Sequence, residues 1–201
     1  MIKRSRGARL TGAEDEGLQQ SEQGFTLIEL LVYSLLLVGV IAIVGGLMFS
    51  AMTASKTVVS VDQASTSGQL VSKSVVRGIR NSSDFRLTSP TGTDQFLVAR
   101  TVGGAATPIW TCSAWYYSAA GDGSVRYTTS TNAILPPTAA ELQTWTLLSE
   151  GVKPVSGTEI FSKAEEELSI SFLGLAGDHP PVTITSSATS RAGASGSLTC
   201  Y

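Results

Sequence analysis

The sequence is poor in the residues from which most enzyme and metal sites are built. It contains one histidine, His179, and two cysteines, Cys112 and Cys200, far apart in the chain. This set lacks the spacing of a zinc site, and Asp122-Gly123 lacks the spaced carboxylates of a calcium loop. A Ser-His-Asp site would have to use His179, and the chain has no strained nucleophile motif. We therefore expect a protein that is not an enzyme, with no catalytic residue, cofactor or metal.

A strong excess of charge is also missing. The chain carries 14 lysines and arginines against 16 aspartates and glutamates, so no domain-wide basic field for nucleic acid is evident. Aromatic residues together with Arg100 and Arg126 are able in principle to stack on single-stranded DNA. The aromatic residues concerned are Trp110, Trp115, Tyr116, Tyr117, Tyr127 and Trp145. Core and strand-edge positions explain them more simply, and DNA stays an open alternative partner.

Proline and charge are both absent from one long segment near the N-terminus. No proline precedes Pro90, and residues 30–55 contain no aspartate, glutamate, lysine or arginine. Residues 30–49 are almost wholly apolar, and about 20 such residues are what a helix needs to cross a bilayer. A single carboxylate, Glu29, stands at the start of this run, where it is costly without a partner. We predict a membrane-spanning helix with a functional carboxylate at its N-terminal end.

A glycine, Gly24, lies upstream of the apolar run. An ordinary secretory signal is cleaved downstream of its apolar core, so cleavage at Gly24 would leave the apolar segment on the mature protein. The stretch GFTLIEL, residues 24–30, resembles the prepilin signature of type IV pilins, type II secretion pseudopilins and competence pilins. The resemblance implies cleavage between Gly24 and Phe25 by a prepilin peptidase, and N-methylation of Phe25. An uncleaved signal anchor is the alternative.

The same resemblance implies a role for Glu29 in assembly. Its carboxylate is expected to pair with the amino group of Phe25 in a neighbouring filament subunit. An unpaired carboxylate in lipid costs several kcal/mol, and pairing with an ammonium group recovers much of that cost. The implied partners are other pilin or pseudopilin subunits, the cytoplasmic membrane and the pilus assembly platform.

The leader, residues 1–24, predicts the orientation in the membrane. Four basic residues balance four acidic ones, namely Lys3, Arg4, Arg6 and Arg9 against Glu14, Asp15, Glu16 and Glu22. Acidic residues count little in the positive-inside rule, so the basic cluster predicts a cytoplasmic N-terminus. We therefore expect a single-pass membrane protein whose head lies outside the cytoplasm, assembled into an extracellular or periplasmic filament.

Beyond the apolar run the pattern becomes amphipathic. Apolar or small residues recur at spacings of three and four, which is typical of a helix that packs on one surface. These residues are Val58, Val61, Ala64, Gly68, Val71, Val75 and Ile79. With the apolar run they predict one helix from Phe25 to about Arg80, in which Gly45-Gly46 either bends the helix or admits a neighbouring helix. Residues 81–84 then break the pattern.

Short runs rich in β-branched and aromatic residues follow, separated by glycine and proline turn signals. They predict strands at residues 95–100, 110–117, 125–129, 144–148, 168–172 and 182–185, with the last two antiparallel and joined through His179-Pro180-Pro181. Residues 137–142 are predicted as a short helical turn, Glu165-Glu166-Glu167 as a turn or helix start, and residues 186–197 as a loop.

The expected fold class is α+β, with a long N-terminal helix packed on a mainly antiparallel β-sheet head, as in pilins. The predicted ranges are 1–24 for the leader, 25–52 for the transmembrane half of the helix, 53–84 for its amphipathic half and 85–201 for the head. In an exported head we expect Cys112 and Cys200 to form a disulfide. Two unpaired, buried cysteines are the alternative.

The function expected from the resemblance is that of a minor pilin or pseudopilin, which initiates or joins a type IV pilus-like filament. Residues 70–87 are similar to the minor subunits related to the W pilin or the J pseudopilin. Two alternatives stay open at this point. One is a competence pilin that contributes to DNA uptake, and the other is a membrane-anchored adhesin that never polymerises.

Overall fold

A computed structural model of the chain describes residues 24–102, 109–191 and 199–201. The leader before Gly24 and residues 192–197 of the predicted loop at 186–197 lie outside the described residues. The chain divides into two compact units, with the boundary between Phe49 and Ser50.

The first unit contains the apolar part of a long helix, α1, which covers Leu27–Arg80. The helix runs without interruption through Gly45 and Gly46. From Leu30 to Phe49 every side chain is exposed. By length and composition, α1 is the one helix in the described part of the chain that is able to cross a membrane.

Within the described residues, the second unit contains the rest of α1 and nine strands. Five strands form an antiparallel sheet in sequential order: β1 Ser82–Thr88, β2 Gln95–Val102, β3 Trp110–Ser118, β4 Ser124–Ser130 and β5 Thr146–Glu150. A four-residue helix, α2 Ala139–Leu142, precedes β5 and begins with a Thr138–Glu141 capping box. The remaining four strands form a second sheet.

The second sheet is built around a ten-residue central strand. Its strands are β6 Val152–Pro154, β7 Phe161–Ala164, β8 Glu167–Ala176 and β9 His179–Thr189. The long strand β9 pairs with β8 along almost its whole length, and the short strands β6 and β7 both pair with β8. Because a strand has only two edges, β6 and β7 share the edge that β9 does not occupy.

One face of α1 packs against both sheets. Its buried residues are Ala64, Gly68, Val71, Val75 and Ile79, which belong to the stripe predicted from the sequence. The main core joins Val71, Val75 and Ile79 to residues of both sheets, among them Leu97, Trp115, Phe172 and Ile184. The amphipathic pattern of α1 therefore marks the surface on which the head is built.

Two glycines set how closely α1 approaches the sheets. A Cβ on Gly68 would collide with the side chain of Ile184, and a Cβ on Gly78 would collide with the indole ring of Trp115. The Trp115 ring also donates a hydrogen bond from Nε1 to Ser74 Oγ, at 2.9 Å. The absence of a side chain at Gly68 and Gly78 is thus what lets a large residue of each sheet approach the helix closely.

A buried glutamine, Gln95, ties the two sheets together. Its Nε2 donates to the carbonyl of Phe161 at 2.8 Å, and its Oε1 accepts from the N–H groups of Ile160 and Phe161 at 2.8 and 2.9 Å. Gln95 is 1% exposed, so these three bonds replace water for a buried amide. This side chain caps the start of β7 from the neighbouring sheet.

The structure confirms the α+β fold class, in which a long N-terminal apolar helix is packed with antiparallel sheets, an architecture consistent with a pilin-like fold. All six predicted strands are present, although several are longer than predicted. The helical turn is also confirmed as α2. Glu165 and Glu166 form the two-residue turn of the β7–β8 hairpin, as one of the two readings predicted.

Other sequence predictions were wrong in detail. The helix ends at Arg80, as the periodicity predicted, but strand β1 begins at Ser82, within the segment predicted to be only a break. His179 lies in β9 rather than in a turn, because residues 177–178 make the reversal between β8 and β9. The same strand continues to Thr189, so residues 186–189 are not loop. The short strands β6 and β7 were not predicted.

We expect replacement of Gln95 by leucine to destabilise the head. The change would leave two backbone N–H groups and one carbonyl in the core without hydrogen-bond partners. Each unsatisfied buried group costs about 1–3 kcal/mol. Gln63→Leu makes the same exchange at an exposed position of α1 and serves as the control. Urea unfolding of the chain in detergent, followed by tryptophan fluorescence, measures the difference. Equal midpoints for the two variants would contradict this role of Gln95.

Candidate functional site

The predicted assembly residue, Glu29, lies in the first turn of α1. Its backbone N–H donates to the carbonyl and to the hydroxyl oxygen of Thr26, at 3.1 and 3.3 Å. Thr26 thereby acts as the N-terminal cap of the helix. The positive end of the helix dipole also favours a carboxylate in the first turn. Local structure thus holds Glu29 at the N-terminal end of α1.

Sequence reasoning missed one residue of this site, Tyr33. Its hydroxyl donates to Glu29 Oε1 at 3.1 Å, and its ring lies edge-on to the ring of Phe25, with 6.2 Å between centroids. The sequence could have indicated this contact, because Glu29 and Tyr33 are four residues apart and therefore lie on the same helix face. Phe25, Glu29 and Tyr33 therefore form one cluster, which we call the N-terminal cluster.

Within the described residues, the N-terminal cluster contains no cation. No lysine, arginine or histidine of the described chain forms an ion pair with Glu29. A carboxylate has about four lone-pair sites, and the Tyr33 hydroxyl occupies one of them. Glu29 is half-buried, and Phe25 is 73% exposed. The cluster therefore leaves acceptor capacity for a donor that comes from another molecule.

The predicted processing residue, Gly24, is exposed at the edge of this cluster. A Cβ at this position would meet no atom within 4 Å, so the packing of the described chain does not require glycine there. The same holds for Gly39, Gly45 and Gly46 on the apolar part of α1. Small residues on such a helix allow close approach of neighbouring helices. At all four positions, space beside the backbone is open to other molecules.

The two cysteines lie together in the head. The sulfur atoms of Cys112 and Cys200 are 2.00 Å apart, in a disulfide whose Cα atoms are 5.5 Å apart. Both residues are fully buried in a second cluster on the other face of the five-stranded sheet, with Phe96, Val98 and Tyr116. The pairing expected from the sequence is therefore present, and it holds Tyr201 against the sheet.

Tyr201 is the centre of a polar cluster on strands β1 and β2. Its hydroxyl donates to Asp84 Oδ2, and Arg100 Nη2 forms a salt bridge with the same oxygen at 3.1 Å. The guanidinium of Arg86 lies 4.1 Å from the centre of the Tyr201 ring, a cation–π distance. Asp84 and Tyr201 therefore have a structural role, because these contacts hold residues 199–201 in place.

Burial and hydrogen bonds shift the pKa values in the head. Burial alone would raise the pKa of Asp84, but hydrogen bonds from Tyr201 and from the Phe85 N–H outweigh it and lower the pKa. Burial, with the hydrogen bond to Asp84, raises the pKa of Tyr201 to about 12. Burial and a hydrogen bond to Asp94 raise the pKa of Tyr116 to about 12 as well. Both tyrosines are thus held in their neutral form.

The aromatic residues considered for DNA stacking are divided between two faces of the sheet. Trp115 and Tyr117 belong to the main core, whereas Tyr116 and Trp145 belong to the second cluster. Arg126 donates to the Trp145 carbonyl at 3.2 Å. The structure therefore does not bring these side chains onto one common surface.

The described residues contain no group of three or more His, Cys, Asp or Glu side chains placed to hold a metal ion. His179 lies partly exposed at the start of β9. No protein-family model, no curated protein and no solved structure matches this chain. The class that the structure itself defines is an α+β protein with a helix able to act as a single membrane anchor near the N-terminus.

We expect the head to lose stability as the pH rises above 10. Tyr116 and Tyr201 keep their protons up to about pH 12 in the folded state, whereas an unfolded tyrosine loses its proton near 10.0. A raised folded-state pKa stabilises below the unfolded-state pKa, and this contribution is lost as the pH passes through the folded-state value. The fall in unfolding free energy should therefore span pH 10 to about 12, measured by urea unfolding.

Tyr201→Phe tests the source of this fall. The variant removes one of the tyrosines whose pKa is raised in the folded head, so its unfolding free energy should decline less steeply between pH 10 and 12 than that of the unchanged chain. Tyr127→Phe is the matched control, because the Tyr127 hydroxyl has no hydrogen bond within the described residues. An equal slope for Tyr201→Phe and Tyr127→Phe would contradict the assignment.

Proposed function

We propose that this chain is a minor pilin or pseudopilin, a structural subunit that initiates or joins a type IV pilus-like filament after its leader is cleaved. The observation that carries the proposal is the N-terminal cluster. A carboxylate stands at the start of a long apolar helix, its one described side-chain partner is a tyrosine hydroxyl, and an unpacked glycine lies five residues before it.

Electrostatics supports an external cation as the missing partner of Glu29. In lipid, one neutral hydrogen bond recovers only part of the several kcal/mol that an ionised carboxylate costs. Cleavage between Gly24 and Phe25 would create an ammonium group at Phe25, the residue that already lies beside Tyr33. In the proposed filament this ammonium group pairs with Glu29 of a neighbouring subunit. Processing of one subunit would then supply the charge that the next subunit requires.

The glycines support the same proposal in two ways. Since nothing in the described chain requires glycine at position 24, a small residue there fits recognition by a prepilin peptidase. The open positions at Gly39, Gly45 and Gly46 fit a stem whose apolar surface packs against other stems. Of the two roles left open for Gly45-Gly46, close helix approach agrees with the uninterrupted helix.

The disulfide supports an orientation with the head outside the cytoplasm. Disulfides persist in exported compartments and are rare in the reducing cytosol. Cys112 and Cys200 lie in the second unit, beyond the apolar part of α1. This agrees with the cytoplasmic N-terminus expected from the basic leader. In this proposal, the retained Glu29 suits a subunit that lies beneath another one rather than one that caps the filament tip.

The first test is the N-terminus of the protein isolated from its own host. We expect mass spectrometry to find N-methylated Phe25 as the first residue. Gly24→Val should block this cleavage because a branched side chain would occupy the open space beside the cleavage site. Gly39→Val makes the same exchange at another open position and should be cleaved normally. A mature chain that still begins before Gly24 would identify a simple membrane anchor instead.

The second test separates processing from assembly. Glu29→Ala and Glu29→Gln should be cleaved normally but should fail to enter filaments, since neither can form the ion pair with Phe25. Tyr33→Phe keeps the carboxylate and loses one hydrogen bond, worth about 1 kcal/mol, so we expect about a fivefold reduction at most. Quantitative blotting of sheared filament fractions measures incorporation. Normal incorporation of Glu29→Gln would count decisively against the ion pair.

A further inference from the structure

Strand β9 presents a long free backbone edge on the head. It covers His179–Thr189 and pairs with β8 on one side. Between residues 182 and 189, no other backbone group of the described chain hydrogen-bonds to it. Unpaired N–H and C=O groups on such an edge form a template for another strand.

The other sheet edges of the described head are protected. The carbonyls of Ser82 and Phe85 on β1 accept hydrogen bonds from Ser190 Oγ, at 2.6 Å, and from Lys163 Nζ, at 2.8 Å. Strand β7 is capped by the Gln95 side chain. Strand β6 has three residues, and β5 has five and ends at Glu150. Short strands, charges and side-chain caps are the usual means of blocking edge pairing.

Strand β9 lacks all of these protections over residues 182–189. This stretch contains no charged residue and no proline, because Pro180 and Pro181 precede it. On its outer face it exposes only hydroxyl side chains, those of Thr183, Thr185, Ser187 and Thr189. On the other face, Ile184 and Ala188 are buried. The edge is therefore eight residues long and regular, and it lacks these protective features.

A polar groove runs beside this edge along the flank of α1. Its volume is about 330 Å³, and it is lined by residues 182–185 of β9 and by four helix residues, Ser65, Gln69, Ser72 and Lys73. Lys73 is the single charged side chain in the groove, and within the described residues no carboxylate pairs with it. A strand laid on β9 would therefore meet hydroxyl and amide groups and one ammonium group.

We propose that the outer edge of β9 is a docking site for an extended, acidic strand of a partner protein. The added strand pairs through its backbone with residues 182–189, and a carboxylate on its helix-facing side contacts Lys73. Main-chain pairing supplies affinity in this recognition mode, and the side chains supply specificity. The site lies in the head, so the proposal does not depend on leader cleavage or on filament assembly.

Three synthetic peptides test the docking site on the full chain inserted in lipid nanodiscs. The first alternates threonine and valine and carries one glutamate, in the order TVTVTETVT. The second carries lysine in place of that glutamate. The third has the sequence of the first with N-methyl groups on four consecutive residues in its middle. This change removes N–H donors from both edges of the peptide strand. We expect the first peptide to bind, the second to bind about two- to fivefold more weakly, and the third at least about tenfold more weakly.

Charge exchange on the helix separates Lys73 from general electrostatics. Lys73→Glu should reverse the preference, so that the lysine peptide binds more tightly than the glutamate peptide. Arg80→Glu makes a comparable change about two turns further along α1, at an exposed position that does not line this groove, and should leave the preference intact. If both variants change the preference equally, the site at β9 is wrong.

Hydrogen exchange locates the bound peptide independently of affinity. Strand addition should protect alternate amides within residues 182–189, namely those that do not pair with β8. Thr185→Lys places a charge on the edge and should abolish this protection, whereas Thr146→Lys on β5 should not. The proposal fails if the first peptide does not bind, if N-methylation has no effect, or if the protection lies elsewhere. Protection that rises with protein concentration alone would show that a second copy occupies the edge and would also overturn it.

Discussion

The head depends on one helix face that serves two sheets at once. Val71, Val75 and Ile79 contact residues of both sheets, and Gly68 and Gly78 allow Ile184 and Trp115 to approach the helix axis. A side chain at Gly78 would collide with the rigid indole ring of Trp115, and one at Gly68 would force the Ile184 side chain to move. Because the sheets share the face, a shift of one would also disturb the packing of the other. The spacing of small residues along α1 therefore fixes the architecture of the second unit.

Gln95 adds a directional contact to this packing. Hydrophobic contacts with α1 are not directional, so they define the relative position of the two sheets less sharply than hydrogen bonds do. The three hydrogen bonds of Gln95 hold the backbone at Ile160 and Phe161 at a fixed position relative to β2. These hydrogen bonds fix the position of the backbone as much as they stabilise the fold, since each such bond contributes only about 1 kcal/mol net.

Periodicity in the sequence predicted much of this fold. The stripe through Val71, Val75 and Ile79 marked the packed face of α1, and alternation of Leu168, Ile170 and Phe172 with serines marked β8. Strand β1 was missed because SSDFRLT lacks alternation and is stabilised by contacts from distant parts of the chain. The strands β6 and β7 have three and four residues, too few to show a period.

The candidate site was predictable only in part, for a related reason. Glu29 stood out because a charge in an apolar run is conspicuous without any structure. Tyr33 did not, because a tyrosine near the end of a membrane helix has an ordinary explanation as an interfacial residue. Only the geometry shows its hydroxyl on the Glu29 carboxylate. The free edge of β9 likewise could not be predicted from the sequence, because the pairing partners of a strand are a property of the assembled sheet.

The disulfide has a consequence for how the protein would behave under mechanical load. With Cys112 and Cys200 joined, a pull between the end of α1 and Cys200 can straighten only residues 81–111, because residues 112–200 form a closed ring whose two ends are 88 positions apart. The available extension is roughly 100 Å, whereas the reduced chain would yield roughly 400 Å at the same reach per residue. The bond therefore acts as a stop that limits unravelling of the head to its first two strands.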